Sequence, residues 1–279
     1  MAVLGLDVGT GGSRAVIVDA DGSVTATATE PHAAFDSPRT GWAEQRPEDW
    51  WRASQAAMRA ALAAGGAAHG DIRAVGLSGQ MHGAVLLDAA GDVVRPAIIW
   101  CDQRTGAQCR RLTDEVGAAR LIELVANPAL TGFTLPKLLW VRDEEPAHWE
   151  RVRTVLLPKD YVRWRLTGER ATDAADASGT LLFDVAGRRW SSELIGQVGI
   201  DAASLPAVHD GPAVTGRLVR AGAEATGLAA GTPVVAGGGD QAAGAVGMGI
   251  VSPGAVSATI GTSGVVFAAT DRPARDPRG

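Results

Sequence analysis

Cysteine is nearly absent from this 279-residue chain, with Cys101 and Cys109 the whole supply. Two cysteines separated by eight positions give no zinc spacing and at most one bridge, so a disulfide or zinc scaffold is excluded. Positive charge is also in deficit. With 26 Lys and Arg against 31 Asp and Glu the formal charge is −5, which argues against a general nucleic-acid or anionic-membrane partner. No apolar run reaches transmembrane length, and Met1-Ala2-Val3-Leu4-Gly5 lacks the basic start and apolar core of a secretion signal. The expected setting is a reducing cytoplasm. Three familiar catalytic motifs are missing too. No Gly-Lys pair exists for a Walker A loop, Arg14 stands where a dinucleotide fingerprint needs its third glycine, and Gly76-Leu77-Ser78-Gly79-Gln80 lacks the closing glycine of a nucleophile elbow.

What is present is small and apolar: 36 glycines, 46% hydrophobic residues and 20% charged, the composition of a folded chain with a real core. Within it one short device occurs twice. Val3-Leu4-Gly5-Leu6-Asp7-Val8 runs into Gly9-Thr10-Gly11-Gly12-Ser13-Arg14 and then Ala15-Val16-Ile17-Val18. Val256-Ser257-Ala258-Thr259-Ile260 runs into Gly261-Thr262-Ser263-Gly264 and then Val265-Val266-Phe267-Ala268. Each reads as a strand, a tight Gly-Thr turn and a second strand, offering backbone N–H groups and a hydroxyl to a phosphate. Two such loops facing each other would grip a nucleotide triphosphate from both sides, which points to phosphoryl transfer.

The alternation predicts strands over 3–8, 14–19 and 23–29, a helix opening at Pro47 and running to about residue 64, and strands over 72–77, 84–88 and 96–100. Helical patterns follow at 103–125, 134–143, 158–166 and 191–198, then a strand over 233–236 and a short helix from Gln241 to Met248. Three strands, a helix, more strands and further helices suggest an α/β domain of the ribonuclease-H/actin type, with a mixed sheet and flanking helices. The repeated loop implies a second copy of this fold beginning near residue 253 and largely missing. The division expected is 1–252 and, for the first hairpin of the second domain, 253–279.

Two carboxylates stand out. Asp7 lies in an apolar strand just before the glycine turn, where it either assists a Mg²⁺ through water or bonds its own loop amides. Asp240 follows three glycines and opens a helix, so it is either an N-cap or a general base that takes a proton from an attacking hydroxyl. Gln80-Met81-His82-Gly83 could bind a polyol. Trp100-Cys101-Asp102-Gln103-Arg104 offers an aromatic wall and an Asp-x-Arg pair that could equally be a local ion pair. Leu157-Pro158-Lys159-Asp160-Tyr161 and Thr172 to Gly179 read as helix-start and turn signals.

Taken together, LGLDVGTGGSR (4–14), SGQMHG (78–83), RPAIIWCDQR (95–104), GFTLPKLLWVR (132–142), VLLPKDYVRWRLTGE (155–169), VVAGGGDQAAGAVG (234–247) and IGTSGVVFA (260–268) resemble the FGGY family of carbohydrate kinases, its xylulose-phosphorylating branch above all. The resemblance implies two actin-like domains closing on ATP, Mg²⁺ and a sugar, with D-xylulose phosphorylated at its 5-hydroxyl. By the same resemblance Asp7 assists Mg²⁺ and the phosphates. The first phosphate loop is Gly9, Thr10, Gly11, Gly12 and Arg14, and the second is Gly261, Thr262 and Ser263. Met81, His82, Trp100, Asp240 and Gln241 contact the sugar, and Asp240 is the base. Gln241 departs from the Asn of many members. The partners expected are the sugar and ATP, with a homodimer left open and no nucleic acid or membrane. A second domain this incomplete would leave little kinase activity in the isolated chain. A non-catalytic sugar-binding fragment, a kinase for a related ketose or polyol, and an actin-type nucleotide switch are the competing readings.

Overall fold

In a computed structural model, residues 1–66, 70–260 and 264–276 are described. The central sheet is mixed. Its strand order runs Val214–Arg217, Pro233–Val235, Ile72–Gly79, Ala2–Val8, Gly12–Asp19, Val24–Pro31, with Gly238–Gly239 pairing the end of Ile72–Gly79. Ala2–Val8 pairs parallel with Ile72–Gly79 and antiparallel with Gly12–Asp19. Gly12 and Ser13 already belong to the second strand, and Gly9 N–H closes the turn on Gly12 O at 3.0 Å.

Side chains alternate between sheet faces. Leu4, Leu6 and Val8 are buried in the main core with Ala15, Ile17, Val75 and Leu77. The helix Pro47–Gly65 covers that face. It starts with Pro at its first turn, carries Glu48 and Asp49 there against the N-terminal dipole, and ends where Gly66 takes a left-handed conformation. Trp50, Ala53, Ala57, Met58 and Ala61 form its buried stripe. A second core gathers Leu135, Leu138, Leu139, Leu181 and Leu194 around the helix Thr134–Glu144.

Two expectations change. The segment 103–125 is two helices, Gly106–Val116 and Ala118–Val125, because Gly117 at φ 93° turns the chain between them. The strands predicted over 84–88 and 96–100 shorten to Val85–Leu87 and Ala97–Ile98, and they pair outside the central sheet, with Thr154–Leu156 and Glu44–Gln45. The hairpin Val256–Ile260 and Gly264–Ala268 forms a two-stranded sheet of its own.

The crossing from Pro233–Val235 to Asp240 depends on Gly237, which sits at φ 78° with its would-be Cβ 1.9 Å from Leu77 O. Positive φ and a backbone clash add, so Gly237→Ala is expected to lose about 3 kcal/mol or more. Equilibrium urea unfolding monitored by tryptophan fluorescence checks this; a loss indistinguishable from zero would show that the crossing can move aside.

Candidate functional site

The face of the sheet opposite the Pro47–Gly65 helix forms the floor of a cleft of about 980 Å³. Register decides which groups line it. Asp7 stands opposite Arg14 on one neighbouring strand and Ser78 on the other, and Ser78 stands opposite Gly238. That cross-strand row places a carboxylate, a guanidinium and a hydroxyl at the cleft floor. Ser78 Oγ donates to Asp7 Oδ1 at 2.7 Å, so one carboxylate oxygen is oriented and Asp7 does not spend itself on its own turn in that bond. Arg14 is exposed and donates to Thr29 Oγ1 at 3.1 Å.

Asp240 is half-buried in the helix Asp240–Gly247, which forms one wall of the cleft. The N-cap is Gly239, without a side-chain capping bond. Asp240 is therefore not the cap that its position after three glycines suggests. Burial raises its pKa above the ordinary carboxylate value; the Asp7 charge pushes the same way, against hydrogen bonds from Gln241. The two carboxylates singled out in the sequence thus sense each other's charge. Asp7, on the cleft floor, supplies hard oxygen donors of the kind Mg²⁺ takes.

The Gly-Thr turn is braced from behind. Gln45 Nε2 donates to Thr10 O at 2.8 Å, Gln80 Nε2 donates to Gln45 Oε1 at 2.9 Å, and Trp50 Nε1 donates to the same Gln45 oxygen at 3.1 Å. His32 N–H donates to Gly11 O at 3.0 Å. Trp100 Nε1 donates to Thr10 Oγ1 at 2.9 Å, so this ring holds the loop. Gln45, Trp50 and Gln80 are buried. Sequence reasoning missed the first two because they are far from the loop in the chain. Gln80 belongs to the Gln-Met-His-Gly cluster, where spacing gives no hint that it braces the turn.

Met81 and His82 leave the strand Ile72–Gly79 at its end and do not line the large cleft. Met81 fits between two glycines: a Cβ on Gly239 would lie 2.7 Å from its Cγ, and one on Gly179 would lie 3.1 Å from its Cε. Met81 is therefore packed against the residue that precedes Asp240. His82 Nδ1 is 2.6 Å from Gly179 O, and its ring stands edge-on to Phe133 at 5.1 Å. Gln241 is exposed on the same helix as Asp240. Gly261, Thr262 and Ser263 lie outside the described residues.

Segments that read as helix starts and turns carry a second feature. Lys159 Nζ lies 2.6 Å from Asp160, 2.7 Å from Asp173 and 3.2 Å from Asp176, with Arg163 paired to Asp160, and every one of these side chains is fully buried or 1% exposed. The three aspartates are spaced as metal ligands would be, but the Lys159 ammonium already stands where a cation would. The cluster joins the helix Pro158–Thr167 to the strand Ala171–Asp173 and the helix Ala174–Ser178, whose first residues line the cleft. The Asp102–Arg104 pair is a real ion pair at 2.8 Å. It is shared with Glu44 and stacked 3.8 Å above Trp42, a structural clamp behind the loop after Trp100.

The family model described as the FGGY family of carbohydrate kinases, N-terminal domain, matches residues 2–247. A curated xylulose kinase of Escherichia coli K12 is 44% identical over 270 residues, covering 96% of this chain and 54% of its own length. The xylulose kinase of Bacillus subtilis is 40% identical over 277 residues, covering 99% and 55%. The crystal structure of xylulose kinase from Rhodospirillum rubrum superposes with a TM-score of 0.94 at 31% identity, covering all of this chain and 57% of that one. The chain therefore spans about half the length of the curated relatives it matches, and its fold is the actin-like one of those sugar kinases. No helix among the described residues is long and apolar enough to cross a membrane.

The charge cluster gives a pH prediction. Two cations face three carboxylates in a dry site. Burial and the neighbouring aspartates raise Asp176 from 3.8 to about 8 against the pull of Lys159. The folded chain then holds a proton that the unfolded chain has released, so stability falls as pH rises from about 4 to about 8. Asp176→Asn, which mimics the protonated group, is expected to flatten that slope, read as thermal midpoints across the window. An unchanged slope would mean the proton sits elsewhere.

Proposed function

The chain belongs to the FGGY family of carbohydrate kinases, and from that premise we propose that it is the sugar-binding half of an ATP-dependent kinase that converts D-xylulose to D-xylulose 5-phosphate. Similarity to proteins named xylulose kinase favours this substrate. The observation that carries the reading is the packing of Met81 against Gly239, which brings this candidate sugar contact to the start of the helix bearing Asp240.

In this reading His82 and Met81 hold the ketose, with Trp100 and Gln241 beside them. Asp240 accepts the proton of the 5-hydroxyl as its oxygen forms a bond to the γ-phosphorus, while the bond to the β,γ-bridging oxygen breaks and ADP leaves. The raised pKa suits a general base, because a carboxylate less acidic than usual takes up a proton more readily. The turn Gly9-Thr10-Gly11-Gly12, with Arg14, meets the phosphates, and Gly261, Thr262 and Ser263 are the proposed second phosphate loop. Asp7 fits a Mg²⁺ held through water, an ion that would neutralise charge on the transferred phosphoryl group. Residues 1–252 make the sugar domain, and the hairpin from 253 opens the next.

Two measurements test the proposal. Calorimetric titration of the purified chain should show D-xylulose binding in preference to ribulose and glycerol; equal or absent binding by a folded chain would remove the substrate assignment. In protein carrying the complete kinase, Asp240→Asn should cut turnover by about 10²- to 10⁴-fold while ketose affinity changes little. Retained turnover would take the base role from Asp240.

A further inference from the structure

The chain has two lysines among its 26 basic residues, Lys137 and Lys159, and both are fully buried. Lys159 is matched by three aspartates. Lys137 is not. Among the described residues its Nζ makes no ion pair; it donates to two backbone carbonyls, His82 O at 2.9 Å and Gly132 O at 2.5 Å. Burial pulls its pKa down to about 7, and the amine keeps N–H donors for both carbonyls whether or not it carries the extra proton. A buried amine with no carboxylate in bonding range is costly, and the nearby Asp102 charge offsets only part of that cost. The helix around it is buried on nearly every side, from Thr134 to Val141.

His82 itself is in an unusual state. Its backbone is left-handed at φ 68°, a conformation that non-glycine residues rarely adopt. Its carbonyl is held from one side by Lys137 Nζ and by Thr134 Oγ1 at 3.1 Å. Its ring is seated against Gly179, where a Cβ would lie 2.5 Å from Cε1. Gly179 O can only accept, so the proton of a neutral imidazole must sit on Nδ1. Burial, helped by Lys137, pushes the ring's pKa down to about 4, so the ring is neutral at physiological pH. Nε2 is left with a bare lone pair.

We propose that Lys137 is a positioning residue for the sugar subsite: its amino group pins the main chain of His82 in the left-handed conformation, so that the imidazole presents Nε2 as a fixed acceptor to a donor hydroxyl of the ketose. His82 is then a reader of hydroxyl position and takes no part in proton transfer. The identity of the sugar rests on the function proposed above; the state of the His82 ring does not.

The test reads the ring directly. Long-range ¹H–¹⁵N spectra of the unmodified chain should show His82 as the Nδ1–H tautomer, failing to titrate around pH 6.5 where a free imidazole does. An Nε2–H tautomer, or ordinary titration, overturns the proposal. Lys137→Met should weaken D-xylulose binding on the order of tenfold or more and move the ring signals toward an unconstrained imidazole; a folded variant within about twofold of wild type, with the ring unchanged, overturns it. Should Lys137→Met fail to fold, Thr134→Val removes the other donor to His82 O and is expected to shift the ring and the affinity in the same direction, and no shift in either overturns the proposal. Failure of the unmodified chain to bind xylulose would strike the substrate assignment, while the ring nitrogens would still decide the role of Lys137.

Discussion

The parallel pairing of Ala2–Val8 with Ile72–Gly79 is the constraint from which the site follows. Its register sets Asp7 beside Ser78 and, through the next strand, Gly238 beside Ser78. A slip of one residue would turn Leu6 to the cleft and Asp7 to the core, which the sheet's two-residue period forbids once Leu4, Leu6 and Val8 are buried. Burying three such side chains stabilises the register by several kcal/mol, at about 1.5–3 kcal/mol each. No single polar contact at the cleft approaches that, so the apolar face fixes where the polar face points.

Polar groups then take over the finer positioning, and they do it from buried places. Gln45, Gln80 and Trp50 satisfy one another behind the Gly-Thr turn. Net hydrogen bonds add only about 1 kcal/mol each, but leaving a buried partner unmatched costs about 1–3 kcal/mol. A network of this kind therefore contributes more to uniqueness of the loop than to overall stability. The Lys159 cluster acts on the same principle with charge: its members would be replaceable by apolar side chains as a set, but removing Lys159 alone would leave Asp173 without its cation and Asp160 with Arg163 only.

Local signals in the sequence carried the outline of the fold. The meander of the first thirty residues, the helix opening at Pro47 and the short helix after Gly239 follow from period, proline and glycine, which act over a few residues. What escaped depends on contacts far apart in the chain. Gln45 reaches Thr10 across 35 positions, and Lys137 reaches His82 across 55. Lys159 looked like an ordinary helix-start residue because nothing local shows that Asp173 and Asp176 fold back onto it. Trp100 was legible as part of a motif, but its bond to Thr10 Oγ1 could not be read from spacing.

Asp240 shows how environment decides between opposed effects. The start of a helix favours an ionised carboxylate, and by position alone Asp240 should be a weaker base than a free aspartate. That influence is roughly 0.3–1 kcal/mol at an exposed end. Here the helix is only eight residues long and Gly239 occupies the cap. Burial and the Asp7 charge act the other way and prevail, so the pKa rises. Gly239, lacking a Cβ, lets Met81 close over the helix start, and as the cap residue it frees the neighbouring carboxylate from that role. The three glycines before Asp240 are thus part of its chemistry as well as of the chain's path.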